Sequence, residues 1–232
     1  MMDDVKPLAL VTGVGPGTGS ALVRRFADGG YRVAMLARDA GRLEALAKEV
    51  PDSIALPCDV TDADALARAV AQVGAPKVVV HNAVGGAFGT FEQVEAETLA
   101  TNFEINTMAL FHLARLTAPA MVAAGEGAII VTGNTSAQRG RAAFAGFAPT
   151  KAAQRILAES LARDLGPKGV HVAYLIIDAV IDVPWARQRL PEKPDDFFIS
   201  PRSIAAEVFH LAHQAKDAWS FLAEVRPFHE PW

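Results

Sequence analysis

The chain has 232 residues, of which 51% are apolar and 21% charged, a composition typical of a globular protein. The formal net charge is −4, and no cluster of Lys and Arg is present. This argues against a nucleic-acid partner, because binding to phosphates needs concentrated positive charge. The single cysteine, Cys58, excludes a disulfide framework and a cysteine-rich metal site. No grouping of carboxylates and histidines indicates a bound metal.

The N-terminal segment, residues 1–7, holds two Asp and no apolar run, so we expect no signal peptide. No stretch approaches the ~18 uninterrupted apolar residues of a membrane span. We therefore expect a cytoplasmic protein with no membrane association.

Short apolar runs alternate with longer segments of helical periodicity. The predicted strands are Leu8–Thr12, Arg32–Leu36, Ser53–Cys58, Lys77–His81, Ala128–Thr132, Val170–Ile177 and a weaker Ser220–Val225. The predicted helices cover 17–29, 39–49, 62–73, 92–124, 147–166 and 201–215. The runs are apolar throughout, as in parallel strands covered by helices on both sides. We predict one Rossmann-type α/β domain over residues 1–232, a doubly wound parallel sheet of seven strands with helices on both faces.

Three helix ends carry capping signals. Asp39 and Thr61 are candidate N-caps, because their side-chain oxygens accept from N–H groups of the first turn. Gly166 is a candidate C-cap.

A glycine-rich segment, residues 12–19, follows the first predicted strand and opens the first helix. Glycines let the backbone turn tightly and approach a pyrophosphate, and the helix N-terminus offers free N–H groups. A glycine pattern alone is weak evidence, but here it stands in the required strand–turn–helix context. The segment predicts a dinucleotide-binding site.

The end of the second strand bears on the choice between NAD(H) and NADP(H). An acidic residue there binds the ribose 2′-hydroxyl of NAD, whereas this chain has Ala37 followed by Arg38. A guanidinium at this position pairs with a 2′-phosphate. The alternative is a solvated arginine beside Asp39. We expect NADP(H) to be preferred, with NAD(H) as the alternative.

Together these motifs resemble the short-chain dehydrogenase/reductase family, over about residues 7–226. Gly13, Gly17 and Gly19 match its Thr-Gly-x-x-x-Gly-x-Gly pattern, and residues 81–84 resemble its Asn-Asn-Ala-Gly strand end with the first and last positions changed. Asn106 and Lys151 match its active-site asparagine and lysine. The resemblance implies cofactor contacts at Gly13, Pro16, Gly17, Thr18, Gly19, Arg38, Asp59, Val60, Asn82, Ala83, Thr132, Lys151 and Val180.

The chain departs from the family pattern in the proton-transfer machinery. Tyr-x-x-x-Lys becomes Phe147 to Lys151, and the family serine falls on Asn134. The Pro-Gly pair after the sixth strand reads Ile-Asp at 177–178, and Asp182 stands where a threonine often occurs. In the family the tyrosine hydroxyl moves the proton and the serine holds the carbonyl oxygen. Phe147 has no ionisable group and cannot perform the proton step.

Three hypotheses follow for the catalytic set Asn106, Asn134, Phe147 and Lys151. In the first, the protein is a reductase that transfers hydride to a carbonyl, imine or activated alkene of a small molecule. Lys151, or a water held by Lys151 and Asn106, then donates the proton, and Asn134, Thr135 or Ser136 holds the substrate oxygen. In the second, the protein binds the cofactor without turnover, as a sensor or partner subunit. In the third, the fold is only structural, which the intact glycine loop disfavours.

Other proton donors are weaker candidates. Tyr31 starts the second strand and Tyr174 lies within the sixth, so neither is a natural replacement for the missing tyrosine. His81, at the end of the fourth strand, is either an acid near the cofactor or a buried core histidine. We favour the core histidine.

Two regions concern substrate and assembly. Residues 182–200, with three prolines, are predicted to form a substrate loop or lid, and Trp185, Phe197 and Phe198 to form a modest aromatic pocket, unless they pack as in an ordinary loop. Segments 101–124 and 147–166 are apolar on more than one face. In the family these helices often form a dimer interface, so we expect a homodimer or homotetramer.

Overall fold

A computed structural model describes residues 6–230 of the chain. Most of the N-terminal segment for which no signal peptide is expected, residues 1–5, lies outside the described residues. The strands are β1 (Leu8–Thr12), β2 (Arg32–Ala37), β3 (Ser53–Pro57), β4 (Val78–His81), β5 (Gly127–Asn134), β6 (Val170–Ile177), β7 (Val180–Ile181), β8 (Phe198–Ile199) and β9 (Leu222–Val225). The helices are α1 (Thr18–Asp28), α2 (Ala40–Glu49), α3 (Ala63–Val73), α4 (Ala96–Phe103), α5 (Ala109–Ala124), α6 (Ala148–Leu165), α7 (Pro184–Arg189) and α8 (Pro201–Ala212).

Seven strands form one parallel sheet in the order β3-β2-β1-β4-β5-β6-β9. This confirms the predicted doubly wound α/β fold. Along β1, alternate residues enter two separate cores: Leu8 and Leu10 join the core packed by α3, α5 and α6, whereas Ala9 and Val11 join the core packed by α1, α2 and α8. Burial on both faces explains the absence of polar alternation in the strand sequences.

The strand order reverses between β1 and β4, which are neighbours in the sheet but lie far apart in sequence. At such a reversal the loops that follow two adjacent strands diverge to opposite faces and leave a crevice at the carboxyl edge. The glycine-rich segment follows β1, so the topology places it in this crevice.

Some predicted boundaries were wrong. The predicted helix 92–124 begins only at Ala96, because residues 90–94 form a turn closed by Gln93, whose Oε1 accepts from the Thr90 N–H at 2.9 Å. It is also divided by a π-helical turn, Glu104–Met108. The N-cap of α3 is Asp62 and not Thr61: Asp62 Oδ1 accepts from the Ala65 N–H, whereas the Thr61 hydroxyl donates to Asp59.

Other capping predictions are confirmed. Asp39 Oδ1 accepts from the Arg42 N–H at 3.0 Å at the start of α2, and Gly166 is the C-cap of α6.

The continuous helical stretch Ala96–Ala124 is long and apolar enough, by length and composition, to cross a membrane. Its side chains Leu110 and Leu113 are nevertheless fully buried in the core beside the sheet. A core helix of an α/β fold passes the same test of length and composition.

Candidate active site

A cleft of about 880 Å³ opens at the carboxyl edge of the sheet, between the loops that follow β1, β2, β3 and β4 and the segment that includes α7. It brings together ten of the residues predicted to contact a cofactor: Gly13, Pro16, Gly17, Thr18, Gly19, Arg38, Asp59, Val60, Asn82 and Ala83. Three others do not line it. Thr132 and Lys151 are buried in the protein. Val180 does not line the cleft, whereas its neighbour Ile181 does.

The glycine loop depends on missing side chains at several positions, among them Gly13 and Gly17. Gly13 has φ +68°, and a Cβ there would lie 2.5 Å from the Ala83 Cα. At Gly17 a Cβ would lie 2.6 Å from a Val183 methyl group, at the point where the loop meets segment 182–200. Gly13 needs to be glycine because the chain turns there in the left-handed region and approaches the Ala83 backbone closely, whereas at Gly17 only the approach to Val183 is close.

The start of α1 fits the pyrophosphate of a dinucleotide. The helix begins at Thr18 without a side-chain cap, so amide N–H groups of its first turn lack intrahelical acceptors. The Thr18 hydroxyl is buried without a hydrogen-bond partner among the described residues. Unused donors at a helix N-terminus are what an anionic phosphate requires.

Polar contacts fix the glycine loop to the neighbouring strands. Asn82 Nδ2 donates to the Gly13 carbonyl at 3.0 Å, and the Thr132 hydroxyl donates to Asn82 Oδ1 at 3.0 Å. The Thr12 hydroxyl accepts from the Asn82 and Ala83 N–H groups. Asn82 and Thr132 therefore shape the cleft from below.

Two arginines lie at the end of the cleft beside β2. Arg38 and Arg42 both line it. Arg42 Nη2 lies 3.0 Å from Asp39 Oδ2, and the other oxygen of Asp39 caps α2. The Asp39 carboxylate is thus neutralised by its own helix. The nearby Asp59 carboxylate accepts from the N–H and hydroxyl of Thr61, whose backbone hydrogen bond is the main cause that lowers its pKa.

Lys151 is 2% exposed and lies on the first turn of α6. Its Nζ donates to the Thr132 carbonyl at 3.1 Å and to Gln154 Oε1. Burial lowers the pKa of Lys151 to about 7. A buried amine that titrates near neutral pH can either carry or release a proton under ordinary conditions.

The Asn106 side chain is used entirely as a clamp between loop and helix. It donates from Nδ2 to the Gly85 carbonyl (2.9 Å) and the Thr150 hydroxyl (2.8 Å), and Oδ1 accepts from the Gly85 N–H. Asn106 lies in the π-helical turn, and its main-chain carbonyl accepts from Gln154 Nε2 at 2.6 Å. Gln154 therefore stands where a water between Lys151 and Asn106 was expected.

Asn134 is the last residue of β5, and Phe147 is the N-cap of α6. Asn134 Oδ1 accepts from the Ser136 N–H at 3.1 Å, while its Nδ2 has no partner among the described residues. Phe147 is 4% exposed and lies one helical turn before Lys151, on the same face of α6.

Phe88, Phe144 and Phe147 form an aromatic group, with ring centroids 5.2–6.5 Å apart. A backbone bridge between Gly89 and Phe144 joins the two loops that carry the first two rings.

None of the other proton-donor candidates replaces the tyrosine. His81 is fully buried, and its Nδ1 lies 3.1 Å from the Thr12 hydroxyl. Burial, and next the charge of Lys151, lower its pKa to about 3, so the imidazole is neutral at ordinary pH. Tyr31 contacts His213, the C-cap of α8. Tyr174 is fully buried, and its hydroxyl donates to Gln154 Oε1 at 3.2 Å; burial raises its pKa well above the usual value.

The predicted aromatic pocket in residues 182–200 was wrong for two of its three rings. Trp185 lines the cleft and is 64% exposed. Phe197 and Phe198 instead pack with Val183 and other apolar residues of the same segment, and the Arg187 guanidinium lies 4.1 Å over the Phe198 ring. The segment needs its own small core because it leaves the main sheet.

Ion pairs hold this segment and its neighbours. Arg187 donates to both oxygens of Asp182 (2.7 and 3.0 Å) and to Asp195. Asp178, which follows β6, lies between Arg226 (3.4 Å) and Arg139 (3.9 Å). Asp178 and Asp182, the two acidic residues that depart from the family pattern, are therefore both paired with arginines.

Sequence reasoning missed two polar residues of the site. Arg42 lies four residues after Arg38 on the first turn of α2, a spacing that could have indicated it. Gln154 follows Lys151 by three residues and shares its helix face. Among the described residues no group of three or more His, Cys, Asp or Glu side chains could hold a metal ion.

Comparison with known proteins agrees with the fold and the cleft. The family model for short chain dehydrogenase matches residues 7–191. D-erythrulose reductase of Gallus gallus is 35% identical over 165 residues, 71% of this chain and 67% of that protein. The crystal structure of a metagenomic short-chain oxidoreductase in complex with NADP has a TM-score of 0.82 and 29% identity, covering 95% of this chain and 97% of the other.

A third similar protein is an alcohol dehydrogenase from the archaeon Thermococcus sibiricus complexed with 5-hydroxy-NADP. Its TM-score is 0.86 at 26% identity, with 97% of this chain and 98% of the other covered. The chain belongs to the short-chain dehydrogenase family. It is therefore a member of an oxidoreductase family that uses a nicotinamide dinucleotide.

Proposed function

We propose that the protein is an NADP(H)-dependent reductase whose acceptor is an activated small molecule: a carbonyl, an imine or iminium, or a conjugated alkene. The observation that carries this proposal is Phe147 one turn before a buried Lys151, in a chain whose dinucleotide cleft is intact. When bound, the cofactor supplies the hydride. The protein supplies orientation and, where the acceptor needs one, a proton.

The preference for NADP(H) rests on charge at the β2 end of the cleft. Arg38 carries no ion pair among the described residues, and Arg42 lies beside it with Asp39 already bonded to its own helix. A 2′-phosphate placed here would meet two guanidinium groups, while the Asp39 carboxylate is paired and the Asp59 carboxylate accepts from Thr61. The NADP and 5-hydroxy-NADP complexes of two similar structures support the same choice.

Proton supply is assigned to Lys151. Its ammonium form has three N–H donors, and two of them are used by the Thr132 carbonyl and Gln154. The third is left for the acceptor or the nicotinamide ribose. The pKa of about 7 lets this proton leave at neutral pH. Asn134 Nδ2 is the donor available to hold a substrate oxygen.

The aromatic group formed by Phe88, Phe144 and Phe147 suggests an apolar or flat acceptor. Phe88 is 68% exposed, so part of this surface is open to a ligand. An iminium carbon or a conjugated alkene needs less acid assistance than a plain ketone does, which suits a site whose tyrosine is replaced by phenylalanine.

One observation favours a second candidate function, cofactor binding without turnover. The Asn106 side chain and the Lys151 ammonium are both hydrogen-bonded to protein groups. This is expected of a site that binds the cofactor but does not transfer a proton. In that case the protein acts as a sensor or partner subunit.

Assembly as a homodimer or homotetramer stays a prediction. Within the two segments that suggested it, Leu110 and Leu113 are core residues, whereas Leu116 and Ile156 are 37% and 51% exposed. The outer face of α5 and α6 thus keeps apolar side chains that a second copy would cover. The cytoplasmic location likewise stays a prediction.

The experiment that tests the function has two stages. NADPH and NADH are first titrated by fluorescence, and NADPH oxidation is then followed with panels of ketones, cyclic imines and conjugated alkenes. Oxidation with an acceptor that must take up a proton, such as a conjugated alkene or an unprotonated imine, supports the reductase if it is lost in Lys151→Met. Tight NADPH binding with no oxidation by any panel supports the sensor. Absence of binding contradicts both.

A further inference from the structure

Gln154 links the Lys151 ammonium to the backbone of the π-helical turn. The side chain is fully buried. Its Oε1 accepts from Lys151 Nζ and from the Tyr174 hydroxyl, and its Nε2 donates to the Asn106 carbonyl. All three partners lie on different elements: α6, β6 and the turn that joins α4 to α5.

Its partners determine the orientation of the amide. The Asn106 carbonyl only accepts hydrogen bonds, so it requires the NH₂ end of Gln154. The Lys151 ammonium only donates, so it requires the carbonyl end. Because both requirements agree, the reversed amide would lose two buried hydrogen bonds at once.

We propose that Gln154 is a positioning residue of this site, which holds Lys151 with one N–H left for the acceptor and links it to the main-chain carbonyl of Asn106. This inference deepens the proposed function and rests on it where it concerns proton delivery. The Thr132 carbonyl and Gln154 Oε1 use two donors of the ammonium, and the same two acceptors are satisfied by the two N–H groups of the neutral amine. The position that gains or loses the proton is then the third one.

The groups around Lys151 allow hydrogen bonding to be tested separately from charge. Tyr174 faces it from β6 and keeps its proton, and His81 faces it from β4 and is neutral. No carboxylate contributes to its titration among the described residues. Gln154 and Thr132 are then the groups that stabilise the charged amine.

The test measures the titration of Lys151 by NMR with ¹³Cε-labelled lysine in the cofactor-free protein. The chain has seven lysines, so the Lys151 signal is assigned by its loss in Lys151→Met. Gln154→Met fills the same space without hydrogen bonds, and Gln154→Ala leaves a polar gap that a water can fill. Gln72→Met on the exposed side of α3 is the matched control.

The proposal expects the Lys151 pKa to fall by about one unit in Gln154→Met, to stay closer to the native value in Gln154→Ala, and to be unchanged in Gln72→Met. If Gln154→Met does not fold, Gln154→Glu is used, and its carboxylate should raise the Lys151 pKa. A purely structural role predicts that Gln154→Ala lowers the free energy of unfolding more than Gln154→Met does, and that neither variant changes the pKa of Lys151. That result would overturn the proposal. Because the readout needs no turnover, its failure is distinct from failure of the proposed function.

Discussion

The Lys151 ammonium nitrogen lies 3.1 Å from the main-chain oxygen of Thr132, which places a charged group of α6 directly on strand β5. The described residues provide it with neutral acceptors and no counter-ion. A cation held this way is desolvated, and its neutral form becomes accessible near neutral pH.

This burial predicts how stability depends on pH. The pKa of Lys151 is about 7 in the native protein and 10.5 ordinarily. Between these values the unfolded chain binds more protons, so the stability of the cofactor-free protein rises with pH, by about 1.4 kcal/mol per unit from this residue. Lys151→Met should therefore be most stabilising at pH 6, and its advantage should shrink from pH 7 to pH 10. Urea unfolding of both proteins across this range checks it, and a pH-independent difference would contradict it.

The same titration predicts the pH dependence of reduction. A carbonyl acceptor that takes its proton from Lys151 should be reduced more slowly above about pH 7, because the ammonium form is lost. An iminium acceptor receives no proton and should lack this decline. Rates at saturating NADPH between pH 5.5 and 9 would be compared for both acceptors. Identical profiles for both would remove Lys151 as the proton donor.

The two arginines beside β2 predict cofactor selectivity. Arg38→Ala and Arg42→Ala should each weaken NADPH binding about tenfold, the effect of one lost charge-assisted hydrogen bond, and should leave NADH binding nearly unchanged. Arg163→Ala, an exposed arginine at the far end of α6, is the control. Fluorescence titration measures all three variants, and equal losses for both nucleotides would argue against a 2′-phosphate site.

The glycine loop predicts a contrast between neighbouring substitutions. Gly13→Ala places a Cβ 2.5 Å from the Ala83 backbone at a positive φ, whereas Gly15→Ala meets nothing within 4 Å. The first should lower the free energy of unfolding by more than about 1 kcal/mol, and the second should leave it almost unchanged. Thermal unfolding of the cofactor-free variants compares them, and equal stability would show that the loop can relax at Gly13.

The dinucleotide cleft was predictable because its signals are local. A strand, a glycine turn and a helix start follow one another within residues 8–28, and parallel topology then fixes their place at the carboxyl edge of the sheet. The replacement of the family tyrosine by Phe147 was predictable for the same reason, since Phe147 lies four residues before Lys151.

The burial of Gln154 and the packing of the aromatic rings in segment 182–200 were not predictable in this way. A glutamine on a helix reads as a solvent-facing residue, and only packing against β6 and the π-helical turn reveals that it is fully buried. Phe198 was expected in the pocket, but it supports the segment's own core beneath Arg187. Both outcomes depend on contacts between elements distant in sequence.

The most direct test of the central claim, that this cleft reduces activated acceptors without a tyrosine, compares the native protein with Phe147→Tyr on matched substrates. NADPH oxidation would be measured with a simple ketone and with a cyclic iminium ion of similar size. The account predicts that the native protein reduces the iminium and scarcely the ketone, and that Phe147→Tyr gains about 10²-fold or more on the ketone alone. A native protein that already reduces the ketone as fast as Phe147→Tyr would contradict it.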